Sequence, residues 1–101
     1  MLNLYTCRYL DESARVLELG CPDFDFDSFF DVAAPLLILL GLRVIEQECN
    51  ADLHVWLVDF DGCRLMLKGE HYSGQMWLEG VGADAEETLV YLAQLLRTVS
   101  L

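Results

Sequence analysis

The chain has 101 residues, 54% of them hydrophobic, and a formal net charge of -11. This length suffices for one domain whose core needs neither disulfides nor metal, and the hydrophobic content excludes intrinsic disorder. The 17 acidic residues against 6 basic ones disfavour direct binding to nucleic acid, which depends on Lys and Arg that neutralise phosphates. An acidic protein that imitates nucleic acid and occupies a basic partner is the opposite alternative.

The start of the chain shows no targeting signal. Residues 1–10 lack the basic start and long apolar run of a secretory signal, so we expect a cytoplasmic protein. The longest uncharged apolar run, residues 32–42, is much shorter than the roughly 20 residues that cross a bilayer. We therefore expect a core segment there and no association with a membrane.

Two short segments open the chain. Residues 4–10 have weak β character, and residues 14–19 alternate more clearly between two faces. Asp11, Glu12 and Ser13 between them are typical of a turn. The pattern predicts either a β-hairpin or a loose arm followed by one strand, and it does not choose between the two.

A first helix is predicted in the apolar middle of the chain. Asp25 or Asp27 can cap it, residues 32–40 form its body, and Gly41 supplies the stop. Pro35 removes one helical hydrogen bond, which predicts a kink or a short first segment. Because apolar residues point in nearly every helical direction, we expect this helix to be buried on more than one side.

An antiparallel ribbon is predicted over residues 54–79. Its first two strands flank Asp61 and Gly62, a dipeptide that supplies the positive φ angles of a tight hairpin turn, and a third run ends near Trp77. A further strand over residues 42–49 precedes the ribbon.

A second helix is predicted over residues 85–99. Asp84 starts it, with Glu87 three residues later in an arrangement like a capping box. Its apolar stripe can cover one face of a sheet. The order of elements therefore predicts a single α+β domain over residues 1–101, with an antiparallel sheet of four to five strands and two helices packed on one face.

One short motif suggests an enzyme. The residues from Asp59 to Gly62 match the D-x-D-G opening of haloacid-dehalogenase-type phosphatases, in which the first Asp is the nucleophile and both carboxylates help to hold magnesium. Cys63 stands in place of the usual Thr, and the motif lies in mid-chain instead of on the first strand of a parallel sheet. A hairpin turn explains Asp59 and Asp61 better, and a small hydrolase stays an alternative.

Other groups that suggest catalysis or metal binding lack the required spacing. Carboxylates before the first helix are better explained by helix initiation than by calcium. Cys63 with His54 or His71 forms a thiol and imidazole pair only if the fold brings them together. The four cysteines otherwise look like small buried hydrophobes, and we assign no catalytic residue, no metal ligand and no cofactor. The carboxylates are Asp23, Asp25, Asp27 and Asp31, and the other cysteines are Cys7, Cys21 and Cys49.

The second face of the ribbon carries the least ordinary side chains. We predict that Trp56, Met66 and Trp77 align there across adjacent strands. His54 and Arg64 lie beside them. If both helices cover the opposite face, these five side chains face solvent and form a binding surface. The alternative is that one Trp packs under the N-terminal arm or a sheet edge and leaves no large patch.

Residues 52–79 also resemble a family of small, uncharacterised gammaproteobacterial proteins about one domain long. The resemblance is carried by the His54-x-Trp56 strand, the Asp61-Gly62 turn, the Glu70-x-Tyr72-Ser73 segment and the Trp77-Leu78-Glu79 ending. It implies a bacterial cytoplasmic domain of unknown function and no catalytic residues.

The aromatic stripe motivates our functional expectation. We expect a non-enzymatic protein that binds another protein, or its own copy as a homodimer, through the open sheet face or an exposed edge strand. The alternatives are a hydrolase or metal-dependent enzyme that uses Asp59 and Asp61 or a Cys and His pair, and a nucleic-acid mimic.

Overall fold

The computed structural model describes residues 4–99. Strands and helices follow one another as β1 (Thr6–Asp11), β2 (Val16–Gly20), α1 (Phe29–Leu40), β3 (Arg43–Cys49), β4 (Leu53–Phe60), β5 (Cys63–Glu70), β6 (Gln75–Gly80) and α2 (Ala85–Val99). Neither helix of this part of the chain is long and apolar enough to cross a membrane.

All the strands belong to one six-stranded sheet with the order β1-β2-β6-β5-β4-β3, and every neighbouring pair is antiparallel. Strands β3 to β6 form a meander. β2 and β3 therefore run parallel to each other with three strands between them, and α1 makes the connection from one to the other. The predicted α+β domain with an antiparallel sheet and two helices is confirmed. The predicted count of four to five strands is wrong.

The missing strand belongs to the opening residues, which form a complete hairpin. The carboxylate of Asp11 holds its turn, because it accepts hydrogen bonds from the N–H of Ala14 at 3.0 Å and from the hydroxyl of Ser13 at 2.9 Å. A bulge between Cys7 and Tyr9 shifts the register of β1 against β2. That bulge breaks the alternation along β1, which explains why the sequence pattern there is weak.

α1 begins after Ser28, which occupies the N-cap position instead of Asp25 or Asp27. Asp25 stabilises the turn that precedes the helix. Its carboxylate accepts a hydrogen bond from the N–H of Ser28 at 2.9 Å, and the Ser28 hydroxyl accepts one from the N–H of Asp25 at 2.8 Å. The helix contains Pro35 and ends at Gly41, whose φ of 69° is the left-handed conformation typical of a helix C-cap.

Only one side of α1 is buried, so the prediction of burial on several sides is wrong. Ile38, on the opposite side, is 83% exposed. The physical reason is that α1 lies on a sheet, and a flat sheet contacts one side of a helix. The buried side chains recur at helical spacing and are Phe29, Ala33, Leu36 and Leu40.

Both helices lie on the same face of the sheet, which we call the covered face. Phe29 of α1 stacks on His54 with ring centroids 4.5 Å apart, and Tyr91 of α2 lies 5.6 Å from Phe60 by the same measure. His54 and Phe60 are an even number of residues apart in β4, so their side chains point the same way. The hydrophobic core fills the space between this face and the helices.

Gly69 in β5 makes room for the largest fully buried side chain of the core. It lies directly opposite His54, and a Cβ added at this position would overlap the ring of Phe29. The absence of a side chain therefore lets α1 approach the sheet closely at its first turn.

We predict that Gly69→Ala lowers the free energy of unfolding by about 1–3 kcal/mol, because the added methyl group overpacks the core. Urea unfolding measures the change. Gly82→Ala is the matched control, since a Cβ there meets only the flexible carboxylate of Asp84. If the Gly69→Ala protein is as stable as the unmodified one, the packing of Phe29 on this glycine is not as described.

Candidate interaction face

The turn between β4 and β5 decides which side chains share a face. Asp61 and Gly62 have φ angles of 49° and 91°, as a two-residue turn requires, and the predicted hairpin is confirmed. This turn pairs Phe60 with Cys63. From this pair the register continues along both strands without a shift. Trp56 therefore lies opposite Leu67, and Leu57 lies opposite Met66.

Trp56 and His54 therefore belong to the covered face, and their predicted alignment with Met66 and Trp77 on one face is wrong. Trp56 is only 4% exposed, and its ring is nearly perpendicular to that of Phe29, with the ring centroids 5.0 Å apart. His54 is stacked on the same ring, and its Nε2 lies 3.1 Å from the carbonyl oxygen of Phe26, which only accepts hydrogen bonds. Both side chains are part of the packing under α1.

Met66, Trp77 and Arg64 do share the other face of the sheet. The next connection pairs Glu70 with Gln75, so Lys68 lies opposite Trp77, and Met66 lies opposite Glu79. The side chains of Met66 and Trp77 are partly exposed. We call this side of the sheet the open face, because both helices lie on the covered face.

Two rows of directly opposed residues cross the open face from one edge of the sheet to the other. Their middle positions are mainly apolar and their outer positions mainly acidic. The first row is Tyr9, Glu18, Trp77, Lys68, Val55 and Glu48. The second row is Asp11, Val16, Glu79, Met66, Leu57 and Glu46.

A polar network holds Trp77 in the middle of these rows. Its indole N–H donates to one carboxylate oxygen of Glu79 at 2.8 Å, and the ammonium group of Lys68 lies 3.0 Å from the other. Burial by itself raises the pKa of Glu79, but the hydrogen bonds from Trp77 and Lys68 and the charge of Lys68 outweigh it, so this pKa is lowered. Both carboxylate oxygens are thus engaged, and the indole ring is fixed in one orientation.

Asp59 lies at the turn end of the open face and is the centre of a second network. Its carboxylate is 3.2 Å from Arg64 and 3.7 Å from Arg43, and it accepts a hydrogen bond from the N–H of Gly62 at 3.1 Å. Asp59 is 8% exposed, whereas Asp61 stands in the turn itself. In the D-x-D-G motif the carboxylate of Asp59 therefore stabilises the hairpin and its ion pairs, and the backbone of Asp61 forms the turn, as the turn interpretation expects.

Two shallow cavities lie on the open face, one on each side of the Lys68 and Glu79 pair. The first has a volume of about 210 Å³ and the second of about 220 Å³. Each combines an apolar floor with carboxylates on its wall. The first is lined by Val16, Glu18, Gln75 and Trp77, and the second by Glu46, Glu48, Val55, Leu57, Met66 and Val81.

The structure does not bring Cys63 to the histidines. Cys63 begins β5 beside the turn, whereas His54 pairs with Gly69 near the other end of the ribbon. Burial raises the pKa of the Cys63 thiol, which favours the unreactive protonated form. Cys63 is buried as expected, but Cys49 is exposed, and Cys7 and Cys21 are only partly buried.

His54 and His71 lie close together, with ring centroids 5.1 Å apart, and both pack against Phe26. Within residues 4–99, no group of three or more His, Cys, Asp or Glu side chains is placed to hold a metal ion.

Sequence reasoning missed most of the open face. The alternation pattern places neither the apolar residues Val16, Val55 and Leu57 nor the bordering Glu46 and Glu48 on a binding surface, whereas in the structure they line its two cavities. A signal was available in the chain. Because a two-residue turn after Phe60 pairs it with Cys63, the parity of every side chain in β4 and β5 follows from the turn alone.

The fold and the site define a small two-layer α+β domain that has one sheet face under helices and the other turned to solvent. The chain belongs to the DUF3630 family, proteins of unknown function, whose family model matches residues 5–97. The resemblance carried by residues 52–79 to an uncharacterised family is confirmed to this extent. Comparisons with curated proteins and with solved structures found no match.

The two tryptophans provide a direct test of the face assignment. We predict that acrylamide quenches the fluorescence of a Trp56→Phe protein, which retains Trp77, much more strongly than that of a Trp77→Phe protein, which retains the buried Trp56. We also expect Trp56→Ala to cost about 3–5 kcal/mol of unfolding free energy and Trp77→Ala clearly less. Equal quenching of both single-tryptophan proteins would contradict the register.

The Glu79 network makes a prediction about pH. Because the pKa of Glu79 is lowered in the folded protein, its stabilisation is complete above its ordinary value of 4.5 and is lost as the pH falls through the lowered value. Since the side chain is 34% exposed, Glu79→Gln should cost only about 0.2–1 kcal/mol near neutral pH. Urea unfolding at several pH values should show the difference shrinking in acid, and a difference that is constant with pH would refute the ion pair.

Proposed function

We propose that this protein is a non-enzymatic binding module that recognises another protein through the open face of its sheet. The observation that carries the proposal is the strip of apolar side chains at the centre of that face. A solvated face of an antiparallel sheet normally presents polar side chains. The strip consists of Val16, Trp77, Met66, Leu57 and Val55, and it is continued by Val81, which is 56% exposed.

The composition of the strip supports binding more than simple solubility. Trp and Met are enriched at protein interfaces, and Trp is among the residues that dominate binding energy. The indole ring of Trp77 is already held by Glu79 at 2.8 Å in the free protein. Binding would therefore lose little side-chain entropy at this position, which favours Trp77 as an anchor.

The face is a better candidate than the edge strand β3. A bulge interrupts β3 between Val44 and Glu46, and the exposed end of the strand carries Glu46 and Glu48. Bulges and charges on an edge discourage the addition of another strand. On the open face, by contrast, the charges of Lys68 and Glu79 neutralise each other, and Glu46 and Glu48 lie at its border instead of within the apolar strip.

The contacts of Asp59 argue against the hydrolase alternative. The carboxylate of Asp59 is engaged by Arg43, Arg64 and the N–H of Gly62. To act as a nucleophile or a metal ligand, this carboxylate would have to lose these charge-assisted hydrogen bonds.

The first experiment places a photoreactive amino acid on each side of the molecule in the cells that make the protein. We predict that a photoreactive group at Leu57, on the open face, forms a discrete adduct with one other protein, and that the same group at Gln94, on the outer side of α2, does not. The partner identified in this way is then purified. Adducts of equal yield from both positions would contradict a dedicated face.

Titration of the purified partner provides the quantitative test. The double variant Trp77→Ser and Met66→Ser should weaken binding by about 2 kcal/mol or more, roughly thirtyfold, because it removes two anchors from the centre of the interface. Ile38→Ser is the matched control, since it removes a side chain that is 83% exposed on α1. Thermal unfolding checks that both proteins remain folded. Unchanged affinity of the folded double variant would reject the proposal.

A further inference from the structure

The two cavities of the open face share one design. Each has an apolar floor and an acidic outer wall. In the first cavity Trp77 on β6 lies inward of Glu18 on β2, and Val16 lies beside Glu18 on the same strand. In the second cavity Met66 lies among apolar neighbours inward of Glu46 and Glu48 on β3. Carboxylates thus stand at both ends of the apolar strip. Their position indicates the charge of the side chains that an occupant presents there.

The carboxylates at the two ends of the apolar strip are largely without cationic partners, whereas the carboxylate at its centre has one. In the part of the chain that the structure describes, Glu46 and Glu48 form no ion pair. Glu18 has only a long contact of 3.9 Å with Arg8, whose side chain is 62% exposed. Both oxygens of the central Glu79, by contrast, are already engaged. Electrostatic complementarity therefore calls for basic groups at both ends of an occupant.

A second copy of the chain does not satisfy this demand. When the strands of two copies run alongside one another, a two-fold axis that brings their open faces together places each acidic end either on its own counterpart or on the opposite end of the other copy. Both arrangements set carboxylates against carboxylates, which costs binding energy. The net charge of -11 on each copy adds a general repulsion.

The spacing of the acidic ends indicates the size and the form of the occupant. From β2 to β3 there are four strand spacings, which amount to about 19 Å. An α-helix covers this distance with about 13 residues. An extended segment lying on the face would leave its backbone groups without partners, whereas a helix satisfies its own and presents one apolar stripe.

The geometry points to an amphipathic basic helix of a partner protein as the occupant of the open face, lying across the strands with its apolar stripe over Trp77 and Met66. Its Lys or Arg side chains pair with Glu18 at one end and with Glu46 and Glu48 at the other. This inference rests on the proposed function, because it names the partner chemistry of the same face.

The test uses the full chain and a synthetic helical peptide of the length derived above, with leucines along one side and two lysines at each end. A second peptide with glutamates in place of the lysines serves as the ligand control. Calorimetric titration should detect binding of the basic peptide only, with an affinity that falls as ionic strength rises. Glu46→Gln with Glu48→Gln should weaken it roughly fivefold.

A matched protein variant separates the site from general charge attraction. Glu86→Gln with Glu87→Gln removes the same charge from the exposed side of α2. The affinity should stay within about twofold of that of the unmodified protein, because salt screens charges that lie far from the bound peptide. If this variant weakens binding as much as Glu46→Gln with Glu48→Gln does, the peptide is held by net charge alone and the inference is overturned.

The remaining outcomes distinguish the inference from the proposed function. If binding of the natural partner is lost with Trp77→Ser and Met66→Ser but is unaffected by Glu46→Gln and Glu48→Gln, the face binds and the basic helix is wrong. If sedimentation equilibrium shows a dimer that Trp77→Ser and Met66→Ser dissociates, the occupant is a second copy and the inference also fails. If neither pair of substitutions affects any binding, both proposals fail together.

Discussion

The turn of Asp61 and Gly62 is the constraint on which the rest of the sheet depends. Because it contains two residues, it pairs Phe60 with Cys63 and so fixes the parity of every side chain in β4 and β5. A register shifted by one residue would exchange the two faces and expose the residues of the core. The positive φ angles at both turn positions, 49° and 91°, are the local chemistry that selects this connection.

Much of the architecture could be predicted from the sequence, but the faces could not be predicted from alternation alone. β4 is apolar on both sides, since Trp56 alternates with Leu57 and Val55, so its pattern does not say which set meets the helices. The turn length resolves this ambiguity. The buried side of α1 could not be predicted from its own sequence, because apolar residues occur on all sides of this helix. Which side is buried depends on the sheet, whose strands lie elsewhere in the chain.

The interactions that stabilise the open face would also favour the proposed binding. Lys68 and Glu79 neutralise each other between the two cavities, and Glu79 orients the ring of Trp77 at the same time. At the turn end, the single carboxylate of Asp59 forms ion pairs with both Arg43 and Arg64. The polar groups of Trp77, Lys68 and Glu79 within the apolar strip are thus paired with one another. A partner can cover this centre with little loss of hydrogen bonding, which leaves apolar contact as the main gain there.

Membership of a family of unknown function leaves the function to be argued from the site. The distribution of charge supplies the most specific part of that argument. An excess of acidic residues keeps a protein soluble, but this role requires no particular placement. On the open face the carboxylates of Glu18, Glu46 and Glu48 flank an apolar strip instead of interrupting it. With the proposed basic helix as occupant, the same charges would repel a second copy of the chain and attract the partner.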